Sequence, residues 1–272
     1  TMAAVLARLG NEVKIATRVG TGPFSELALR NLRTAGVDLS LVQQDDKLQT
    51  SSVTLLVTPD TQRTMISAPG AAKHLDSASL TSEDLGDCDA LVMSAYSLVT
   101  GRQREYAVRA LEYAARAGLT TFIDMGSGAV PALRPRFFDL ARDVDYLLMN
   151  EKELYALTGE SSISDAVAGL STHGIERLIV KVGEMGSIVV TPELNELIDP
   201  FDVDGVVDST GAGDYYTAAF AHAIMRGDDL LYAARLGNIA GALNTTLVGA
   251  QSYVRSEEEL DTLADELNAV QS

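Results

Sequence analysis

From residue 88 onward the chain alternates short β-prone runs with helical stretches, and few architectures accept that order. Ala90–Met93, Thr120–Ile123, Tyr146–Met149 and Leu178–Val182 read as strands. They are largely apolar, as strands covered on both faces are. Arg102–Ala117, Phe137–Arg142 and Ser164–Thr172 lie between them and read as helices. This repetition predicts parallel β-α-β units, with helices on both faces of one sheet. Ser187–Thr191 and Glu196–Ile198 suggest a closing hairpin, and the last third turns helical over Asp214–Arg226, Leu230–Leu247 and Glu257–Val270. The acidic run Glu257–Glu259 reads as a solvated helix start that complements the dipole.

The first part of the chain is less regular. Thr1–Leu9 has helical spacing and stops at Gly10; Val13–Ala16 is short and β-prone; Gly20, Gly22 and Pro23 mark a turn. Phe24–Ala35 reads as an amphipathic helix closed by Gly36. Between residues 52 and 67, Val53, Leu55 and Val57 alternate with Thr54, Leu56 and Thr58, and Pro59-Asp60-Thr61-Gln62 offers a turn, which predicts an exposed β-hairpin. No fixed repeat or low-complexity linker divides residues 1–272, so one α/β domain carrying that hairpin is the expectation.

Charge and cysteine narrow the function classes. With 21 Lys+Arg against 38 Asp+Glu the formal net charge is −17, and no basic cluster offers a nucleic-acid face. An anionic substrate would therefore have to be met by backbone N–H groups, a metal ion or a few placed cations. The longest apolar runs, Ile179–Val182 and Ile188–Val190, fall far short of the ~18 residues a membrane helix needs. A single cysteine, Cys88, can form neither an intramolecular disulfide nor a cysteine zinc cluster, and a reducing cytoplasm is the expected setting. The histidines, His74, His173 and His222, are scattered without metal-ligand spacing.

The segment Asp208-Ser209-Thr210-Gly211-Ala212-Gly213-Asp214 concentrates the chemistry. It links the apolar Val206-Val207 to a helix. Gly211 and Gly213 let a ligand approach the main chain, and the helix start that follows favours an anion. A carboxylate at Asp214 is the wrong charge for simple anion binding. It makes sense if it takes the proton of a hydroxyl that attacks phosphorus. It makes equal sense as a helix cap. No Lys-Ser/Thr follows the glycines, so this is no Walker loop, and a dinucleotide fingerprint would need a third glycine.

This segment resembles the C-terminal signature of the ribokinase/PfkB-type carbohydrate and nucleoside kinases, and other motifs agree in order. Ala3, Gly10 and Gly20 are similar to part of that family's N-terminal signature. Pro69-Gly70-Ala71 resembles its turn after the lid, Asn150-Glu151-Lys152-Glu153 its Asn-x-x-Glu motif, and Lys181-Val182-Gly183-Glu184-Met185-Gly186 its nucleotide-side segment. The resemblance implies a ribokinase-like three-layer α/β/α sandwich, with the hairpin of residues 52–67 as a small β lid.

By the same resemblance Asp214 is the base, and the N–H groups of Gly211, Ala212 and Gly213 form an anion hole for the transferring phosphoryl. Asn150 and Glu153 hold Mg²⁺ through water near the ATP phosphates, although the residues alone favour a capping box, and both roles can coexist. Lys181, Gly183 and Gly186 lie along the nucleotide, Asn238 falls where the adenine is contacted, and Asp208 and Thr210, with the Val248-Gly249 loop, bind a monovalent cation such as K⁺. Ser67, Ala68 and the turn from Asp124 to Gly128 border the acceptor pocket.

The family pattern also implies a first core strand, a substrate-binding Asp and a Gly-Gly pair ahead of Thr1. A sheet lacking that strand would leave backbone groups unpaired, so residues lost before Thr1 are the expectation. Gly20-Thr21-Gly22-Pro23-Phe24 departs from the family's usual pattern, which leaves the sugar unspecified. The leading expectation is an ATP- and Mg²⁺-dependent kinase for a hydroxymethyl group of a small carbohydrate, with the lid as a surface for homodimerisation. The alternatives are a nucleoside kinase of the same family and a non-catalytic sugar- or nucleotide-binding protein on its scaffold.

Overall fold

The structure, a computed structural model, describes residues 1–57, 63–251 and 256–271. Helix α1 (Met2–Arg8) leads into β1 (Thr17–Gly20), α2 (Pro23–Thr34) and β2 (Val42–Asp45). The strand expected at Val13–Ala16 thus begins later. Lys14 makes only an isolated bridge to Asp38, and the parallel pairing of β1 with β2 runs from Thr17↔Val42 to Gly20↔Asp45. Val13 and Ile15 are used instead in a small core with Ala4, Val19, Leu29, Leu32 and Val37. The partner's register, more than local propensity, decides where β1 starts. β2, Val-Gln-Gln-Asp, has too little apolar alternation to be read in advance.

The hairpin is present as β3 (Ser52–Val57) and β4 (Arg63–Ala68), antiparallel from Ser52↔Ala68 to Val57↔Arg63 and separate from the other sheets. The turn expected at Pro59–Gln62 lies outside the described residues.

The alternating half follows as β5 (Ala90–Ser94), α3 (Gly101–Ala117), β6 (Thr120–Asp124), α4 (Val130–Leu133), α5 (Phe137–Leu140), β7 (Tyr146–Asn150), α6 (Glu151–Thr158), α7 (Ile163–Ser171) and β8 (Leu178–Lys181). β9 (Ser187–Val190) and β10 (Asn195–Ile198) form the closing hairpin. Then come α8 (Ala212–Arg226), α9 (Leu230–Asn244) and α10 (Glu257–Gln271). The helix expected over Phe137–Arg142 is shorter, and a further turn, α4, precedes it.

Six strands share one sheet in the order β10-β9-β8-β7-β6-β5, with β5 to β8 parallel and β9 antiparallel to both neighbours. Strand residues alternate between two cores. Phe122, Leu148, Ile179 and Val189 face a layer built from α1, α8, α9 and α10. Ile123, Leu147, Met149 and Val180 face α3, α4, α6 and α7. Phe122 stacks on Tyr146 with ring centroids 4.9 Å apart and meets Phe220 of α8 edge-on. Both sheet faces are therefore dry. The parallel strands β6, β7 and β8 each end on a polar residue.

Candidate active site at the carboxyl ends of the strands

Asp124, Asn150 and Lys181 are the last residues of β6, β7 and β8, and parallel pairing brings these three ends to one edge. Ligands of open α/β sheets bind at such carboxyl ends. Asn150 stands opposite Lys181 in register. The Lys181 ammonium reaches over β7 to Asp124, with Nζ 2.5 Å from Oδ1, and lies 3.5 Å from the Thr217 hydroxyl of α8. The Tyr216 ring is 5.9 Å away. Both side chains of the pair are largely buried, at 14% and 11% exposure. Burial, with the Asp214 and Glu153 carboxylates adding to it, raises the Asp124 carboxyl to about 6 against the opposing pull of the Lys181 ammonium. The Asp124 carboxyl thus faces two further carboxylates as well as its ammonium partner.

α8 enters this cluster by its N-terminus. Gly211, in the left-handed region at φ +89°, is its cap, so the helix opens at Ala212. A side chain on Gly211 would also strike the backbone of Ala250, 2.9 Å away. That pairing of φ and crowding requires glycine. A Cβ on Gly213 would stand 3.3 Å from Lys181 Nζ, so the ammonium lies directly against the first turn. Asp214, the third residue of the helix, is half-buried. The Ala212 N–H donates to the Ser209 carbonyl at 3.3 Å.

Asn150 and Glu153 form a capping box. The Asn150 side-chain Oδ1 accepts from the Glu153 N–H, and Glu153 Oε2 accepts from the Asn150 N–H, both at 2.9 Å. Glu153 Oε1 also accepts from the Ser127 hydroxyl at 2.8 Å. Two oxygens already committed to hydrogen bonds, on a buried carboxylate beside Asp124, suit a hydrated cation better than direct ligation. Among the described residues no group of three or more His, Cys, Asp or Glu is arranged to hold a metal directly.

The Asp208 carboxylate joins two loops. It accepts from the Thr210 N–H at 2.9 Å and from the Gly249 N–H at 3.0 Å, and Asn244 donates to the Thr210 carbonyl. The remaining nucleotide-side residues converge elsewhere. Gly186, at φ +90°, packs so closely on Ile198 to Pro200 that a Cβ would lie 2.1 Å from the Ile198 carbonyl oxygen. Asn238, buried in α9, donates to the Ile198 and Asp199 carbonyls at 3.1 and 2.9 Å. Gly183 is exposed, with open space around it. The structure therefore brings Asn150, Glu153, Lys181, Gly213 and Asp214 together. Asp208, Thr210 and Gly211 sit around the Gly249–Ala250 loop, and Gly186 and Asn238 against the end of β10.

Sequence reasoning found most of this cluster but gave Asp124 no role beyond a turn near the pocket, and passed over Thr217. An acid at the end of a β-prone run, ahead of Gly126 and Gly128, was the available signal. Tyr96 was also passed over. It lies flat against that turn, its hydroxyl accepting from the Gly128 N–H at 3.1 Å, and a Cβ on Gly126 would overlap its ring.

A doubly covered parallel sheet with a glycine-led helix start and clustered acids at its carboxyl edge defines an α/β scaffold for handling phosphates. Residues 1–257 match the pattern of the pfkB family carbohydrate kinases, and the chain belongs to that family. As a member it is a phosphotransferase. The deoxyribokinase of Salmonella typhi is 27% identical over 266 residues, covering 95% of this chain and 84% of that protein. The ribokinase of Staphylococcus aureus is 25% identical over 269 residues, again 95% and 84%. Of solved structures, the adenosine kinase of Sinorhizobium meliloti superposes with a TM-score of 0.87 at 25% identity, covering 98% of this chain and 81% of that one. A structure from E. coli in complex with ATP and Mg²⁺ superposes with a TM-score of 0.87 at 23% identity, covering 97% and 87%. The fold is the ribokinase-like α/β/α sandwich. No helix of the described residues is long and apolar enough to cross a membrane.

Proposed function

We propose that the chain is a cytoplasmic ATP-dependent sugar kinase that transfers the γ-phosphoryl of ATP to a hydroxymethyl group of a small carbohydrate. The observation that carries this reading is the Lys181 ammonium, paired with Asp124, lying against the glycine turn that starts α8, whose third residue is Asp214. Asp214 accepts the proton of the acceptor hydroxyl as its oxygen bonds to the γ-phosphorus. The bond from that phosphorus to the bridging oxygen breaks, and ADP leaves with its electron pair. The N–H groups of Gly211 and Gly213, and that of Ala212 once it gives up the Ser209 carbonyl, would face the charge that spreads over the phosphoryl oxygens. Asn150 and Glu153 would hold Mg²⁺ through water, and the ion when bound supplies charge neutralisation at the phosphates. Lys181, Gly183 and Gly186 line the nucleotide side, with Asn238 toward the adenine. Asp208 and Thr210 would hold a monovalent cation at the junction with Gly249.

The whole chain, residues 1–272, acts as one domain in this reading, with β3 and β4 as its lid. Leu56 and Ile66 on one face of that hairpin, and Val53 and Met65 on the other, are each more than half exposed. One face is available to cover the sugar and the other to pair with a second copy. Sedimentation showing only monomer at working concentration would count against the pairing.

A nucleoside acceptor is the second reading. Tyr96, an aromatic ring at the same sheet edge and 52% exposed, favours it. ATP consumption across sugars, sugar acids and nucleosides, with Mg²⁺ and with or without K⁺, tests both readings. Turnover on one class that vanishes in Asp214→Asn supports a kinase and names its acceptor. Silence across the panel with ATP still bound would favour the non-catalytic binder.

A further inference from the structure

Lys181 is more than a residue along the nucleotide. Its ammonium carries three donors on a flexible four-carbon stem, and such a group keeps no fixed position unless something holds it. The structure records partners for two of those donors, Asp124 at 2.5 Å and Thr217 at 3.5 Å. The tether spans the sheet edge from β8 to β6, and α8 lies over it. It leaves Nζ 3.3 Å from the position a Cβ would take on Gly213, at the mouth of the first turn of α8. A buried ammonium also needs a counter-charge, and Asp124 supplies it without standing between Nζ and Gly213. The chain is strongly acidic, and here it places one cation against the backbone that the kinase reading assigns to the transferring group.

We propose that Lys181 touches the transferring phosphoryl group and that Asp124 is the positioning residue that holds it there. The assignment rests on the kinase reading given above. A purely structural ion pair would tie β6 to β8 and act on stability alone. A positioning pair acts on turnover, because a charge displaced by about 1 Å from a developing phosphoryl charge costs on the order of a hundredfold.

The test measures kcat, acceptor KM, ATP affinity by calorimetry and melting temperature for Asp124→Asn, Lys181→Met and the double variant. Asp124→Asn is expected to lower kcat about tenfold to hundredfold and to change acceptor KM by less than about threefold. Lys181→Met is expected to lower kcat by about 10²–10³-fold and to weaken ATP binding. In the Lys181→Met background the Asp124 change should cost nothing further, because the residue acts through the lysine. A wild-type kcat in Asp124→Asn, or the same loss in both backgrounds, overturns the proposal. If Lys181→Met strands its buried carboxylate and fails to fold, the double variant decides: turnover well below that of Asp124→Asn supports the contact, and equal turnover overturns it. A wild-type protein that binds ATP but phosphorylates no acceptor counts against the kinase reading. The Lys181 contact is then judged on ATP affinity alone, which the double variant should lower and Asp124→Asn largely keep; equal affinities overturn it.

Discussion

At its N-terminal end α8 meets one ammonium, Lys181, among the carboxylates of Asp124, Asp214 and Glu153, beside the glycine backbone of the helix start. At its C-terminal end Arg226 bonds Asp228 at 2.7 Å, Glu257 at 2.8 Å and both oxygens of Asp261 at 2.6 and 2.9 Å. Tyr232 donates its hydroxyl to Asp261 as well, and His222 Nε2 lies 3.4 Å from Glu257. The guanidinium is pushed far up by these hydrogen bonds, so by titration alone the second cluster looks the more perturbed. What separates the two is closure. In the C-terminal cluster each carboxylate is hydrogen-bonded to Arg226 itself, which fastens α8 to α10. The N-terminal cluster holds like charges against one another next to backbone that can receive an anion. Perturbed ionisation marks a functional site only where the groups are left something to act on.

Breaking the N-terminal cluster should have the larger consequences. Asp214→Asn is expected to reduce turnover by about 10²–10⁴-fold, the usual worth of a general base, with ATP affinity little changed. A loss of this size in Arg226→Gln as well would erase the distinction between the two ends. Gly211→Ala forces a side chain into φ +89° against Ala250, and should cost about 1–3 kcal/mol in urea unfolding together with a clear loss of activity. Stability lost with turnover intact would mean that the first turn of α8 need not hold its position.

The C-terminal cluster should answer in stability only. Arg226→Gln removes a partly exposed network, worth about 1 kcal/mol, and should lower the melting temperature by about 2–4 °C while kcat stays at the wild-type value. The smallest effect is expected at His222. Burial lowers its folded pKa below the ordinary value, with Glu257 and Asp261 of α10 opposing and Arg226 of its own helix assisting. Asn11 faces its other ring nitrogen at 2.9 Å. The unfolded chain then takes up the proton first, so stability is lost as pH falls from about 6.5 through the lower folded value. His222→Gln should flatten that part of the stability–pH profile, and an unchanged slope would assign it to the carboxylates instead.

Much of this was legible in the chain itself. The β-prone runs at 90–93, 120–123, 146–149 and 178–182 announced a doubly covered parallel sheet, because a strand dry on both faces has little room for polar residues. The turn from Asp208 to Asp214 announced a helix start, because glycines free the chain to turn there and a following acid suits the first turn, although whether that acid caps or catalyses was equally open. Tertiary structure decided the rest. β1 moved to Thr17 because its partner's register set it. Glu257, read as a solvated end of α10, became a ligand of Arg226. Asp124 and Lys181, 57 residues apart, became partners only because β6 and β8 flank β7 in the same sheet. Periodicity reports which side of an element is dry, a local property that each segment carries in its own composition. Which charges meet depends on strand order, and strand order is settled only when the whole sheet closes on its helices.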